Sequence, residues 1–117
     1  MDVSAGVTVL PGEVWWASPD PAMGREQGGR RPVLVISNEA YLDAVATLAI
    51  TVPLTTRDRG WPNHVPVAGS TGLDVPCWAM TEQVRTISRS RMVRRSGVVA
   101  GETLATVRQW VTDFLAE

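Results

Sequence analysis

The 117-residue chain contains no lysine, one cysteine and one histidine, and these scarcities disfavour several kinds of chemistry. A single cysteine, Cys77, cannot form an internal disulfide, and its position between Pro76 and Trp78 suits a small buried residue better than a nucleophile. One cysteine and one histidine cannot supply a structural zinc site. A Ser-His-Asp triad would depend on His64 alone, which we expect at the surface in a polar loop.

The sequence also lacks a long apolar run, a phosphate-loop motif and a dinucleotide-binding fingerprint. No stretch approaches the ~20 apolar residues that a membrane-spanning helix needs. Residues 1–16 show no basic start, no sustained apolar core and no small-residue cleavage pattern, so we expect no signal peptide. Together with the lone cysteine, this favours the reducing cytoplasm as the location of the protein.

The remaining composition is that of one folded domain. Hydrophobic residues make up 44% of the chain, which is enough for a core, and a charged fraction of 20% argues against disorder. A length of 117 residues suits a single domain with a single core.

The charge is nearly balanced, but its distribution is uneven. All 11 basic residues are arginine, and the formal net charge is −1. Two explanations for this preference remain open. Arginine binds phosphate through a planar fork, and a GC-rich genome would favour arginine codons throughout. The arginines cluster at positions 25, 30, 31, 57, 59, 85, 89, 91, 94 and 95, and the C-terminal segment is acidic. Such a chain can carry a basic groove and an acidic back.

Short β-branched and aromatic runs predict strands, listed by residue number as 12–18, 31–37, 45–55, 64–68 and 77–88. The run over 31–37 is nearly all apolar, which predicts a central strand buried on both faces. Pro53 predicts a bulge or an edge near the end of its strand, and Pro66 predicts an edge strand. Residues 56–63 are expected to form a polar hairpin loop.

Helices are predicted at two places. Asn38 is suited to cap a single helical turn over residues 38–44. From Glu102 onward, apolar residues recur at spacings of three and four, which indicates an amphipathic helix with one apolar face. Five or six strands followed by one helix predict a mainly β fold, a small and strongly bent barrel capped by the C-terminal helix.

The stretch "GREQGGRRP", residues 24–32, concentrates charge directly before a buried strand. Pro32 restricts Arg31 to extended geometry, so the Arg31 side chain should project at the start of the strand. Arg25, Glu26 and Gln27 belong to the same loop. This loop is either a solvated turn held by an ordinary salt bridge or a site that binds a polyanion.

Two further stretches carry candidate polar groups. In "VPLTTR" (52–57), the hydroxyls of Thr55 and Thr56 could bind a phosphate oxygen, although threonine is also an ordinary strand residue. In "TEQVRTIS" (81–88), strand alternation would place Glu82 on one face and both Gln83 and Arg85 on the other. That second face could contact base edges and phosphates, or it could simply face solvent.

Five tryptophans are a large number for this length. Trp61 lies in the loop that also holds Arg57 and Arg59, which makes it the best candidate for stacking on a nucleobase. Simple packing against the protein is the alternative.

Four stretches, "PGEVWW", "GREQGGRRPVLVIS", "VPLTTRDRGWP" and "TEQVRTIS", resemble in order and spacing the motifs of the MazF/PemK family of toxin endoribonucleases. The resemblance implies an SH3-like barrel with a C-terminal helix, the fold shared by MazF, PemK and CcdB toxins. It implies a single toxin domain over residues 11–117, preceded by an N-terminal tail of residues 1–10, and a homodimer as the working form.

The same resemblance implies the toxin of a type II toxin-antitoxin system that inhibits translation and growth. It would cleave single-stranded RNA at a short sequence without a metal or other cofactor, leaving 2′,3′-cyclic phosphate and 5′-OH ends. A MazE-like antitoxin would place an extended acidic tail in the RNA groove, and operator DNA would be bound only through the antitoxin complex. Two alternatives remain at this point: a CcdB-like gyrase poison, against which the ending "TDFLAE" argues, and a barrel that binds nucleic acid without cutting it.

The resemblance also implies roles for individual residues. The family's essential arginine matches Arg31, its active-site threonine matches Thr55 with Thr51 as the fallback, and its two acids match Glu26 and Glu82. Arg31 and Thr55 would stabilise charge on the phosphate, and Glu26 or Glu82 would act as the general base. The expected RNA contacts are Arg25, Gln27, Thr56, Arg57, Trp61, Gln83 and Arg85.

Overall fold

The computed structural model describes residues 7–18 and 29–116, which form eight strands and two α-helices. The strands are β1 Glu13–Ala17, β2 Arg31–Val35, β3 Leu48–Thr55, β4 His64–Pro66, β5 Gly69–Ser70, β6 Trp78–Met80, β7 Arg85–Ser88 and β8 Met92–Val99. The helices are α1 Glu39–Ala44 and α2 Gly101–Leu115, and one-turn 3₁₀-helices at Thr81–Gln83 and Arg89–Arg91 flank β7. Asn38 caps α1 by accepting a hydrogen bond from the Tyr41 amide at 2.8 Å, as predicted.

The strands form one antiparallel sheet in the order β4-β6-β3-β2-β1-β8-β5, with β7 added on β3. Along one side of β3, the partner of residues 48–51 is β7 and the partner of residues 54–55 is β6. A strand with two successive partners on one side bends the sheet, because the two partners diverge with the twist. The expected mainly β fold, strongly bent and with a C-terminal helix, is confirmed.

The central strands β1, β2 and β3 are buried on both faces of the sheet, and each face has its own core. Val14, Leu34 and Val52 pack with Val107 of α2, as strand alternation requires. The other face carries a second core, whose members include Trp15, Val33, Val35, Leu42 of α1 and Met92. Residues of β2 contribute to both cores, so the prediction of a central strand buried on both faces is confirmed.

The N-terminal residues contribute to the second core as well. Val9 falls within the predicted tail and is buried there. The Leu10 amide donates to the Glu13 carboxylate at 2.9 Å, which holds this segment against the start of β1. The division of the chain at residue 10 stays a prediction.

The single strand predicted over residues 77–88 is wrong. Two strands, β6 and β7, occupy this region, and the 3₁₀ turn Thr81–Gln83 separates them. Thr81 is fully buried, and its hydroxyl donates to the Asn63 carbonyl at 2.7 Å, which fixes the turn against the neighbouring loop. The predicted alternation of Glu82 with Gln83 therefore does not apply, because both residues lie on the turn.

The strand β8 has no counterpart in the sequence prediction. Its sequence, "MVRRSGVV", places three polar residues in a row before Gly97 and has no period of two. It nevertheless pairs along all of β1, with two register shifts that absorb the irregular pattern.

The two strand prolines have different outcomes. Pro66 lies on β4 at the end of the sheet, so the predicted edge strand is confirmed. Pro53 lies inside the sheet opposite Val33, where the partner on the other side of β3 changes from β7 to β6. The expectation of an edge at Pro53 is therefore wrong. In the described part of the chain, neither helix has the length and apolar character that crossing a membrane requires.

Candidate RNA-binding groove

A groove of about 770 Å³ opens where β2 and β3 approach the turn Thr81–Gln83. Three arginines, two threonines and a glutamine line it: Arg30, Arg31, Arg59, Thr55, Thr56 and Gln83. Trp16 and Pro32, which face each other across β1 and β2, add apolar surface. Asp74 is the one carboxylate among the described residues that line the groove. Because three arginines line it as well, the charge of the groove is predominantly positive.

The strand register brings Arg31 and Thr55 to the same level of the sheet. Val33 pairs with Pro53 in the antiparallel ladder between β2 and β3. Two residues before Val33 is Arg31, at the start of β2, and two residues after Pro53 is Thr55, at the end of β3. In an antiparallel pair these two positions lie opposite each other. The arginine and the threonine that are 24 positions apart in the sequence are thus neighbours in the groove.

Thr55 presents a hydroxyl with an available hydrogen. Its Oγ1 accepts a hydrogen bond from the Arg57 amide at 3.1 Å, which orients the oxygen and leaves its own hydrogen to donate. Thr51, the fallback candidate, is fully buried, and its hydroxyl donates to the Arg85 carbonyl at 3.1 Å. Thr51 therefore supports the sheet, and Thr55 is the residue that faces the groove.

Glu82 is exposed beside the groove, next to Gln83 on the turn, and is not among the residues that line it. Each oxygen of its carboxylate lies 3.1 Å from Nε2 of the His64 ring. The carboxylate also accepts a 2.8 Å hydrogen bond from the side-chain amide of Asn63. Partial burial alone would raise the pKa of Glu82, but hydrogen bonds from His64, its own backbone and Gln83, together with the charge of the His64 ring, lower the pKa below its ordinary value. Glu82 is thus a weaker base than an unpaired glutamate.

His64, expected at the surface, is only 4% exposed, and that expectation is wrong. It begins β4, where it pairs with Met80 of β6 and is covered by Trp61, with the ring centroids 4.7 Å apart. Trp61 itself is 49% exposed, and the Arg59 guanidinium lies over it at 5.8 Å. The buried His64 ring thus contacts Trp61, and Trp61 contacts Arg59, which lines the groove.

The other predicted RNA contacts are distributed around this centre. Thr56 and Gln83 line the groove, whereas Arg57, Trp61 and Arg85 do not. Arg57 is exposed in the loop after β3, and Arg85 is exposed at the start of β7. Three predicted residues, Arg25, Glu26 and Gln27, lie outside the described residues.

Several arginines of the predicted basic clusters hold the scaffold. Arg89 is buried and donates to the carbonyls of Leu42, Val45 and Leu48, where α1 ends and β3 begins. Arg95 forms a 2.7 Å ion pair with Glu13. Arg91 donates to the Ser18 carbonyl at 3.0 Å, and Arg108, which lies outside those clusters on α2, donates to the Ile36 carbonyl at 2.9 Å. Proximity in sequence therefore did not distinguish structural arginines from those that line the groove.

Among the aromatic and charged residues that line the groove, four were not selected from the sequence: Trp16, Arg30, Arg59 and Asp74. The pairing of Trp16 with Pro32 brings the tryptophan to the groove, and this pairing is a property of the sheet. Cys77 also lines the groove but is buried, as expected, and burial raises the pKa of its thiol. A thiol with a raised pKa is a poor nucleophile.

Comparisons with known proteins agree with this geometry. Residues 10–115 match the family described as PemK-like, MazF-like toxin of type II toxin-antitoxin system. The chain is similar to endoribonuclease MazF9 of Mycobacterium tuberculosis, with 38% identity over 80% of this chain and 85% of that protein. It is 34% identical to the endoribonuclease toxin MazF of Escherichia coli strain K12, over 83% of this chain and 85% of that protein.

The fold comparison points the same way. A crystal structure of MazE-MazF from Deinococcus radiodurans superposes with a TM-score of 0.77 and 28% identity, covering 93% of this chain and 97% of that chain. This likeness confirms the expected toxin fold, an SH3-like barrel with a C-terminal helix. The chain belongs to the PemK-like, MazF-like family of type II toxin-antitoxin toxins.

Proposed function

We propose that the protein is a toxin endoribonuclease that cleaves single-stranded RNA at a short sequence without a metal. The family and the endoribonuclease names of its relatives support this activity. The observation that carries the proposal for the site is the juxtaposition of Arg31 and Thr55 at the ends of β2 and β3, in a groove that also contains Arg30 and Arg59.

The proposed reaction is an internal transfer at phosphorus. The ribose 2′-oxygen forms a bond to the neighbouring phosphorus, the bond to the 5′-oxygen breaks, and the products are a 2′,3′-cyclic phosphate and a 5′-OH. Negative charge increases on the non-bridging oxygens in the transition state, where the Arg31 guanidinium and the Thr55 hydroxyl donate hydrogen bonds. Arg31 stays protonated and so clamps the phosphate without acting as a base.

The reaction also requires that a base remove the proton of the 2′-OH and that an acid deliver one to the 5′-oxygen. Of the two predicted carboxylates, Glu82 is hydrogen-bonded to Asn63 and His64 and is not among the residues that line the groove. We therefore assign the role of general base to Glu26, which precedes Arg31 by five positions in the sequence. The prediction for Glu82 made from the resemblance is replaced here by a supporting role.

The RNA contacts follow from the chemistry of the groove. In this proposal Arg30 and Arg59 bind backbone phosphates, and the Gln83 side-chain amide and the Thr56 hydroxyl contact base edges or phosphates; the position of all four in the groove lining supports these roles. Arg57, Trp61 and Arg85 extend the proposed contact surface beyond the groove, and Arg25 and Gln27, outside the described residues, stay predicted RNA contacts.

The deciding experiment incubates wild type and Arg31→Ala with a long single-stranded RNA in the presence of EDTA and sequences the 5′-OH ends. We expect sequence-specific cuts by wild type and their loss in the variant. Thr55→Val should also lose activity, whereas Thr112→Val, an exposed threonine on α2, serves as the matched control. A stable complex of wild type with uncut RNA would instead favour a barrel that binds nucleic acid without cutting it.

We further propose that the toxin acts in the cytoplasm as a homodimer and is neutralised by a cognate MazE-like antitoxin. The similarity of this chain to the structure of MazE-MazF from Deinococcus radiodurans supports the antitoxin part of this proposal. Contact with operator DNA would occur only through the antitoxin complex. A gyrase-poison function is not favoured, since the similar proteins named above are endoribonucleases.

A further inference from the structure

We propose that His64 and Glu82 are a positioning pair that holds the loop 56–63 and the turn 81–83 together beside the groove. In this role the pair supports RNA binding and takes no part in the transfer at phosphorus. The proposal rests on the proposed ribonuclease function, and it assigns a purpose to a buried histidine that the chemistry described above does not use.

The orientation of His64 depends on Glu82. The imidazole is buried, and its Nε2 lies 3.1 Å from both carboxylate oxygens. The other ring nitrogen, Nδ1, is buried and has no hydrogen-bond partner within residues 7–18 and 29–116. A buried polar atom without a partner has a free-energy cost, so the contact at Nε2 is what holds the ring in this position.

The pair belongs to a small polar network that joins two segments 18 positions apart. The Asn63 side chain donates to Glu82 at 2.8 Å and to the Thr81 hydroxyl at 3.3 Å. The Thr81 hydroxyl donates in turn to the Asn63 carbonyl at 2.7 Å. Because Thr81 is fully buried, this network is shielded from water on one side, which strengthens its hydrogen bonds.

Each end of the network leads to a residue of the groove. On the loop side, the His64 amide donates to the Trp61 carbonyl at 3.1 Å, Trp61 packs on the His64 ring, and Arg59 lies over Trp61. On the turn side, the Gln83 amide lies 3.4 Å from the Glu82 carboxylate. Arg59 and Gln83 both line the groove, so the pair fixes their separation.

This arrangement predicts an effect on RNA binding that is separate from catalysis. Arg31 and Thr55 are held by β2 and β3 and not by the network. Loss of the pair should therefore raise KM about tenfold and leave the rate at saturating RNA within about twofold. Because the two side chains act as one unit, the double variant should be no worse than either single variant.

The experiment uses the full chain and an RNA oligonucleotide that contains the mapped cleavage sequence. KM and kcat are measured for His64→Ala, Glu82→Ala, the double variant and Glu82→Gln, whose amide oxygen can still accept from Nε2. We expect Glu82→Gln to remain within about threefold of wild-type KM because the hydrogen bond survives. Glu39→Ala, an exposed glutamate on α1, is the matched control.

Two kinetic results would overturn the proposal. One is a fall in kcat of about a hundredfold in Glu82→Ala and Glu82→Gln with KM unchanged, which would make Glu82 the general base. The other is that the effects of the two single variants simply add in the double variant, which would show that the side chains act independently.

Hydrogen exchange separates local from global effects and does not require RNA. In His64→Ala and Glu82→Ala, amides of residues 57–63 should exchange faster, whereas those of β2 and α2 keep wild-type rates. Unchanged exchange in 57–63 would refute the pair. A wild-type protein that cuts no RNA would refute the proposed function. The exchange result would then test by itself whether His64 and Glu82 hold residues 57–63 in place.

Discussion

At the scale of the residue, side chains of the same type differ in function because they contact different groups. Thr51 and Thr55 are four positions apart on one strand, yet the first donates to a backbone carbonyl in the core and the second has its hydroxyl in the groove. Arg31 lines the groove, whereas the guanidinium of Arg89 donates hydrogen bonds to three backbone carbonyls. Function at this scale depends on which polar groups the fold leaves available.

Arg31→Ala should reduce the single-turnover rate by about 10² to 10³, the usual cost of one donor to a developing oxyanion. Arg31→Lys should recover only part of this loss, because an ammonium group keeps the charge but lacks the planar fork. Quenched-flow cleavage of a mapped RNA oligonucleotide in EDTA measures both rates. A full rate in Arg31→Ala would remove this residue from the reaction.

Glu82 should also make stability depend on pH. Its pKa is lowered in the folded protein, so its ionised form contributes stability at pH values above its unfolded pKa, near the ordinary value of 4.5. That contribution is lost as the pH falls through the lowered pKa of the folded state. Melting temperatures of wild type and Glu82→Gln, measured at intervals from about pH 7 to about pH 3, should differ most at the upper end and converge at the lower end. A constant difference would contradict the lowered pKa.

At the scale of the element, buried polar groups and close backbone contacts fix how segments meet. Arg89 joins the end of α1 to the start of β3 through three carbonyls. Gly97 of β8 lies against the backbone of Ser70 and Thr71, which leaves no room for a side chain. The first contact fixes α1 against β3, and the second fixes β8 against β5.

Replacing Arg89 by methionine should destabilise the protein by about 2 to 4 kcal/mol, because three carbonyls lose their donor in a buried position. Arg57→Met, at an exposed loop position, should change stability by less than about 0.5 kcal/mol. Urea denaturation of both variants gives the comparison. Equal effects would show that the burial of Arg89 has no energetic consequence.

Gly97→Ala should cost about 1 to 3 kcal/mol, because its Cβ would overlap the backbone of β5 and the following loop. Gly101→Ala is the matched control, since a Cβ there meets no atom within 4 Å and alanine favours the helix that begins at this residue. We expect the control to be neutral or more stable in thermal denaturation. A neutral Gly97→Ala would mean that β5 can move away from β8.

At the scale of the whole molecule, a chain with a net charge of −1 presents a groove that three arginines make positive. The acidic residues of α2, among them Glu102 and Asp113, are not among the groove residues. This separation allows a nearly neutral protein to bind a polyanion, and it should make binding depend on salt.

The affinity of wild type for an uncleavable RNA, with 2′-deoxyribose at the cut site, should fall with salt on a log–log plot. The slope should become shallower by about 0.7 in Arg30→Ala, the loss expected for one phosphate contact to a single strand. Asp113→Asn also changes the net charge by a single unit but lies on α2, so its slope should equal that of wild type. Fluorescence anisotropy over a series of salt concentrations tests this, and equal slopes for all three proteins would show that Arg30 binds no phosphate.

The sequence by itself determined the local features whose signals lie within a few residues. Asn38 as a cap, the apolar run of β2, Pro66 at an edge and the periodic apolar face of α2 were all predicted, because capping, burial and helical spacing depend on near neighbours. The family motifs also selected Arg31, Thr55, Thr56 and Gln83, which the structure brings into one groove.

Only the tertiary structure decided which of the remaining polar residues face the groove. The turn at Thr81–Gln83 separates β6 from β7, the two successive partners of β3, and it brings Glu82 into contact with His64. Trp16, Arg59 and Asp74 reach the groove through strand pairing and loop paths that no local pattern encodes. The physical reason is that burial and hydrogen-bond partners are properties of contacts between distant segments, and His64 acquires both only when residue 82 folds against it.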